Sequence, residues 1–205
     1  MLFGDVVRSR RDAVAATAWL RTLKADLSSA YPAGEVVAPF EFTQGDELQG
    51  LLALAADPTE AVLRAALHPD RMAMRWVIVA GDVDDGRGPA TQRSGPAFIR
   101  ARERLEETAA RRELVAVVTG DPEADDLLSG IAPVLGDLLD DLTDRQRVIA
   151  WPILVEGLRQ ADAADRFRVS RATISVAADR AHLRAIAELR RVIRTLLARA
   201  TMARA

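Results

Sequence analysis

Two strand-like apolar runs lie almost back to back in this chain, Glu35–Phe42 and Leu48–Leu52, with a short turn read at Gln44-Gly45-Asp46 between them. A connection this short forces antiparallel pairing and leaves no room for a crossover helix. The flanking segments complete the pattern. Met1–Val7 reads as a buried opening strand, and Ser9-Arg-Arg-Asp12 has capping-box spacing ahead of Val14, Leu20, Leu23 and Leu27 at helical intervals, until Tyr31-Pro32 ends the segment. After the hairpin, Asp57-Pro-Thr-Glu60 predicts a second capped helix, with Glu60 placed to reach back and an end near His68. The strongest strand is Met72–Ala80; then come a loop over Gly81–Gly95, a helix over Pro96–Arg112, a strand at Leu114–Val118 and a helix over 122–142.

The order β-α-β-β-α-β, with a central hairpin and helices from the crossovers on one face, predicts an α+β domain of ferredoxin-like or palm type rather than a doubly wound sheet. Neither G-x-x-x-x-G-K-[ST] nor G-x-G-x-x-G occurs, so the common phosphate loops are absent. After Leu142 the pattern becomes wholly helical. Thr143-Asp-Arg-Gln146 is a third capping box, Pro152 must kink or interrupt its helix, Arg159–Phe167 is a short helix, and Ser170 caps another over Arg171–Arg180. Ile186, Leu189, Ile193, Leu196 and Ala200 then repeat at coiled-coil spacing, which fits either a dimer seam or packing on the chain's own core. The expected division is residues 1–121, a connecting helix over 122–142, and a helical tail over 143–205.

Charge follows the same boundary. Residues 1–142 carry 15 basic and 24 acidic side chains, a balance of −9, whereas 143–205 carry 13 and 6, a balance of +7. Such a tail favours a polyanion, or its arginines merely solvate its helices. With no cysteine, disulfides, zinc ribbons, iron–sulfur clusters and thiol catalysis are excluded, and two distant histidines, His68 and His182, make no metal site or catalytic triad. His68 reads as a helix C-terminal residue, and Trp19, Trp76 and Trp151 read as core. The opening residues lack a signal-peptide core and no apolar run reaches a membrane span, so a soluble cytoplasmic chain with no membrane partner is expected.

Two acids stand out. Asp5 lies in the opening strand and Asp46 at the hairpin turn, and if those strands are neighbours both carboxylates can reach one point. Mg²⁺ or Mn²⁺ takes carboxylate oxygens together with substrate phosphates, and Glu47 and Asp82 are further acids available to such a centre. Equally, Asp46 serves as a turn former and Asp5 as a strand-end acid. Arg8 and Arg10, next to a helix N-terminus, can meet phosphate oxygens or stay solvated.

The blocks Gly4-Asp-Val-Val-Arg-Ser9, Gly45-Asp-Glu-Leu-Gln-Gly-Leu-Leu52, Met74-Arg-Trp-Val-Ile-Val-Ala-Gly-Asp-Val83 and Gly95-Pro-Ala-Phe-Ile-Arg-Ala-Arg102 resemble, in order and spacing, the SatD family of bacterial proteins, which join such a domain to a C-terminal helix-turn-helix. They are also similar to the class III nucleotide cyclase pattern. That resemblance implies a cyclase-like domain in which Asp5 and Asp46 hold the metal and Asp82 replaces a later Glu. It also places Ile99 and Glu103 where the cyclase helix carries Asn and Arg, with Arg100, Arg102 and Arg104 nearby but out of register and Arg100 the phosphate candidate among them. Metal and nucleotide binding are therefore expected more readily than turnover.

In the tail, Leu142-Thr-Asp-Arg-Gln-Arg147 and the run from Gly157 to Ser175 resemble a helix-turn-helix of the sigma-factor region 4 or LuxR kind. Ala164 is small at the helix crossing, Phe167, Val169 and Ile174 supply the core, and Arg168, Ser170, Arg171, Thr173 and Ser175 are the candidate DNA contacts. Arg168 stands where the turn favours Gly. The expectation is a double-stranded-DNA-binding regulator whose cyclase-like domain binds a divalent metal and a nucleotide. A metal-dependent cyclase or related phosphoryl-transfer enzyme, and a dimerising interaction module, are the alternatives.

Overall fold

The computed structural model of the protein describes residues 1–42 and 46–202. Thr43, Gln44 and Gly45 of the expected hairpin turn lie outside the described residues, as do 203–205. Among the described residues the chain is α+β, with five strands and eight α-helices. In order they are β1 (Leu2–Val6), α1 (Ala13–Ala30), β2 (Val36–Phe42), β3 (Glu47–Leu52), α2 (Thr59–Leu67), β4 (Met74–Val79), α3 (Pro96–Ala110), β5 (Val115–Val118), α4 (Pro122–Asp140), α5 (Asp144–Leu154), α6 (Gln160–Phe167), α7 (Arg171–Arg180) and α8 (Leu183–Met202).

The strands form one mixed sheet in the order β2-β3-β1-β4-β5. β1 sits centrally, antiparallel to both β3 and β4, β2 pairs antiparallel with β3, and β5 is added parallel to β4 after the crossover through α3. Alternation along the strands divides the side chains between two layers. Leu2, Val6, Leu48, Trp76, Ile78 and Val117 join the core formed with α1, α2, α4 and α8. Phe3, Leu51, Val77, Val79 and Ala116 form a thinner second core with Ala97 and Ala101 of α3. Gly4 is required where it stands, because a Cβ there would come within 2.8 Å of the Trp76 ring.

Several local expectations shift. Ser9 does not cap α1; residues Ser9–Arg11 form a 3₁₀ turn, and Asp12 caps the helix by accepting the Ala15 amide at 2.9 Å. The side chain closest to the first free amides of the true helix takes the role, which frees Ser9 for another bond. At α2, Asp57 does accept the Thr59 amide at 3.0 Å, but Glu60 turns to arginines instead of reaching back. Pro152 lies inside α5 and the helix ends two residues beyond it. Trp19 and Trp76 are buried as expected, whereas Trp151 is only half-buried.

Across the expected division, α8 shares its core with the sheet, whereas Ala163, Ala164 and Ile174 of α6 and α7 form a small buried cluster of their own. Leu183, Ile186, Ile193, Leu197 and Ala200 of α8 belong to the same buried cluster as the sheet, and α8 packs mainly on α4. The regular stripe on α8 therefore faces the chain's own core, and Leu189 and Leu196 pack against that cluster too; the helix presents no free dimer seam along this face. No helix among the described residues is long and apolar enough to cross a membrane. One arginine fastens α8 to the sheet layer. Arg190 donates to Thr59 Oγ1 at 2.8 Å, to Asp57 Oδ2 at 2.7 Å, to Glu60 Oε2 and to the Leu154 carbonyl at 3.3 Å.

Replacing Arg190 with Met keeps the aliphatic stem but takes one cationic partner from two mostly buried carboxylates, leaving Glu60 to Arg64 and Asp57 to Arg194 and Thr59. We expect a loss of about 2 kcal/mol in chemical denaturation, below the ~3–5 kcal/mol of a fully buried pair because each group keeps some solvent contact.

Candidate functional site

The register of the central strands brings the acids together. Asp5 faces Glu47 across the β1–β3 ladder and Arg75 across the β1–β4 ladder. The Asp46 carbonyl accepts the Val6 amide at 3.0 Å, which holds the residue before β3 beside the end of β1. Burial, and then the Asp46 charge, push the Asp5 carboxyl from its ordinary 3.8 up to about 6, against the pull of Arg75 and with a further push from Glu47.

Each carboxylate already has protein partners. Asp5 Oδ2 accepts from Arg75 Nη1 at 2.8 Å, Asp46 Oδ2 accepts from the Ser9 hydroxyl, and Glu47 Oε1 accepts from Gln49 Nε2 at 2.5 Å and Arg102 Nη2 at 3.2 Å. A divalent-cation centre wants these oxygens free and convergent. Among the described residues no group of three or more His, Cys, Asp or Glu is arranged to hold a metal ion. The donor set present therefore does not fit a two-metal centre.

The other expected members are dispersed. Asp82 follows the far end of β4, and the span from Arg75 to Val79 alone covers ~13 Å at ~3.3 Å per residue. Arg100 is at that far end too, its guanidinium so close to Gly81 that a Cβ there would clash with it. Arg8 and Arg10 are exposed in the turn after β1, Arg8 in the left-handed region at φ 61°. Ile99 is 63% exposed and Glu103 is exposed on the same stretch of α3. The charged side chains lining the groove beside this stretch are Asp84, Arg93, Arg102, Glu103 and Glu106, three acids against two arginines, so it offers a polyphosphate no net positive surface.

The second constellation assembles as a helix pair. The reciprocal capping box Thr143–Gln146 starts α5, and Gln146 Nε2 donates to the Arg180 carbonyl at 3.1 Å, which ties the end of α7 to the start of α5. Between α6 and α7 the backbone turns through Arg168 at φ 55°, ψ 43°, with the Val169 amide closing onto the Ala164 carbonyl at 3.0 Å. Ser170 Oγ accepts the Thr173 amide at 3.1 Å and lies 2.8 Å from Thr173 Oγ1. Ala163, Ala164 and Ile174 form a small buried core with Ile149, Ile153 and Phe167 packed on it. Val169, expected in that core, is exposed instead.

Facing away from this core, Arg168, Ser170, Arg171, Thr173 and Ser175 are all exposed. The two hydroxyls of Ser170 and Thr173 are engaged with one another, and beside them the Arg168 and Arg171 guanidiniums and the Ser175 hydroxyl are exposed, with Arg171 close enough to Asp162 to help hold that carboxyl low. Sequence reading did not find the cavity between α1, α5 and α6, where His68 stacks edge-on to Trp19 at 5.0 Å and to Trp151 at 6.3 Å.

Two outcomes follow from these geometries. Asp5 keeps its proton to about pH 6 in the folded chain but only to 3.8 when unfolded, so stability falls as pH rises from about 4 to about 6 and levels off above. Thermal midpoints across that range should show this slope, and Asp5→Asn should flatten it. Arg168→Gly should raise the unfolding free energy by about 0.5 kcal/mol, because relief of ~1–2 kcal/mol of left-handed strain exceeds the ~0.5–1 kcal/mol entropy cost of glycine. Compared with protein-family models, curated proteins and solved structures, the chain matches none, and the geometry of its own residues carries the functional reading.

Proposed function

We propose that the chain is a DNA-binding regulator, in which α6, the turn at Arg168 and α7 act as a helix-turn-helix carried on a ferredoxin-like, palm-type sheet unit. One observation carries the reading. α7 buries Ile174 and Ala178 while its N-terminal residues face solvent, with the exposed Arg168 and Arg171 among them and beside them, on a helix held at both ends. A helix presented in this way can enter a major groove with its first turn against base edges and phosphates. The palm reading is supported by the strand order β2-β3-β1-β4 with antiparallel pairing throughout that part of the sheet.

A second reading, a divalent-cation-dependent nucleotidyl transferase, is favoured by the raised Asp5 carboxyl alone, since crowded acids mark many cation sites. The pairings of Asp5, Asp46 and Glu47 and the acids of the α3 groove weigh against it. Incubation of each nucleoside triphosphate with Mn²⁺, read as pyrophosphate release and controlled with Asp46→Asn, tests it directly. Product that is lost in the variant would favour it over the regulator reading.

The regulator reading predicts that the full chain binds a labelled mixed-sequence duplex at about 50 mM salt and releases it as salt rises, as phosphate contacts do. Arg171→Ala should weaken binding at every sequence tested and lower the salt slope by about one. Fluorescence anisotropy reads both quantities. No affinity for duplex DNA at low salt would show the reading to be wrong.

A further inference from the structure

Helix α4 carries a second stripe outside its core side. Leu128, Ala132, Leu135 and Leu139 are buried in the main core. On the outer side Glu123, Leu127, Gly130, Val134, Asp137 and Asp141 recur at alternating intervals of four and three, and all six are exposed. Leu127 is 54% and Val134 47% exposed. Gly130 costs the helix ~0.5–1 kcal/mol relative to Ala, yet a Cβ there would meet no other part of the chain within 4 Å. Nothing within one copy of the chain calls for glycine at this place, whereas a second backbone passing close by would.

The neighbouring surface comes from α8. Arg190 and Arg194 on one of its flanks meet Asp57, so α4 packs along the other, where Ala185, Val192 and Arg199 repeat every seven residues at the solvent edge. The two helices run antiparallel. α4 begins just after β5, whose Val118 carbonyl accepts the Ala80 amide, and Thr201 at the end of α8 lines a pocket with that same Ala80. At the other end, Gln146 of α5 meets Arg180, just before α8 starts. Their charges are opposite: α4 holds five acids and no base, and α8 holds five arginines and one glutamate. Among the described residues Glu123, Asp137, Asp141, Arg184 and Arg199 form no ion pair.

We propose that two copies of this chain associate through the α4–α8 face, about a two-fold axis parallel to the helices that sets α4 of each copy across α8 of the other. Charge selects this arrangement. A two-fold axis across the helices would lay α4 antiparallel on its own copy and bring Glu123 against Asp137 and Asp141. With α4 across the other copy's α8, the acidic ends of α4 meet Arg199 and Arg184 instead, while Leu127, Gly130 and Val134 meet the Val192 edge. Leu127 and Val134 carry the affinity, and the charges set the register. The facing surface is ~28 Å long and ~20 Å wide, roughly 560 Å² per copy against the ~800 Å² of a standard interface, which makes a micromolar dimer rather than a permanent one.

Sedimentation velocity of the full chain between about 1 and about 300 µM tests this, with a reversible shift from monomer to dimer expected at a Kd of about 10–100 µM. Added salt should weaken the dimer, because the paired charges are exposed. Val134→Asp places a charge in the apolar centre and should raise Kd about tenfold or more, while the unfolding midpoint of the dilute monomer stays unchanged. Asp141→Arg and Arg184→Asp should each weaken association, and the two together should restore Kd to within about threefold. A monomer at the highest concentration, or a dimer indifferent to Val134→Asp, would overturn the proposal. So would a dimer that Asp141→Arg strengthens, the result expected if acid faced acid. No nucleic acid is present, so the outcome is independent of the regulator reading.

Discussion

The arrangement depends on α8 being part of the sheet's core. Its apolar stripe closes the main cluster against α4, and Arg190 locks that position by meeting Asp57, Thr59, Glu60 and the Leu154 carbonyl at once. One guanidinium thereby joins the start of α2, the end of α5 and the middle of α8. Because α5 and α8 bracket α6 and α7, whatever fixes α8 also fixes the platform from which α7 projects. Through α8 the basic tail shares buried core with the acidic first part, while α6 and α7 keep a small cluster of their own.

Electrostatics bear on both readings of the central strands. Three carboxylates approach one another at the end of β1, and the raised Asp5 carboxyl records the cost. Arg75, Ser9, Gln49 and Arg102 meet that cost from within the chain. A cation would have to compete with partners already in hydrogen-bond contact, and the groove beside α3 carries three acids against two arginines. The tail has the opposite balance. Arg168 and Arg171 are exposed, and the backbone around them is held by caps and a closed turn.

Much of this was legible in the sequence where local rules suffice. The hairpin, the best strand at Met74–Val79, the capping box at Thr143 and the Ser170 cap depend on neighbours a few residues away, and each stands within a residue or two of expectation. The convergence of Asp5 and Asp46 followed from strand adjacency alone. What failed depended on distance or on competition. Ser9 has capping spacing but lost the role to Asp12, and Asp82 follows a strand that runs antiparallel to β1 and so ends at the opposite side of the sheet. The α8 stripe suited a partner helix equally well until α4 covered it. Arg190 and its partners are some 130 residues apart, and the lining of the cavity comes from four helices. No local pattern encodes such meetings.

Hydrogen–deuterium exchange of the full chain, with and without a short DNA duplex, tests the central claim most directly. The account predicts added protection confined to the turn at Arg168 and the first half of α7, with the sheet and the Asp5 cluster unchanged. Protection centred on β1, β3 and α3, or none at α7 under conditions where the duplex is bound, would contradict it.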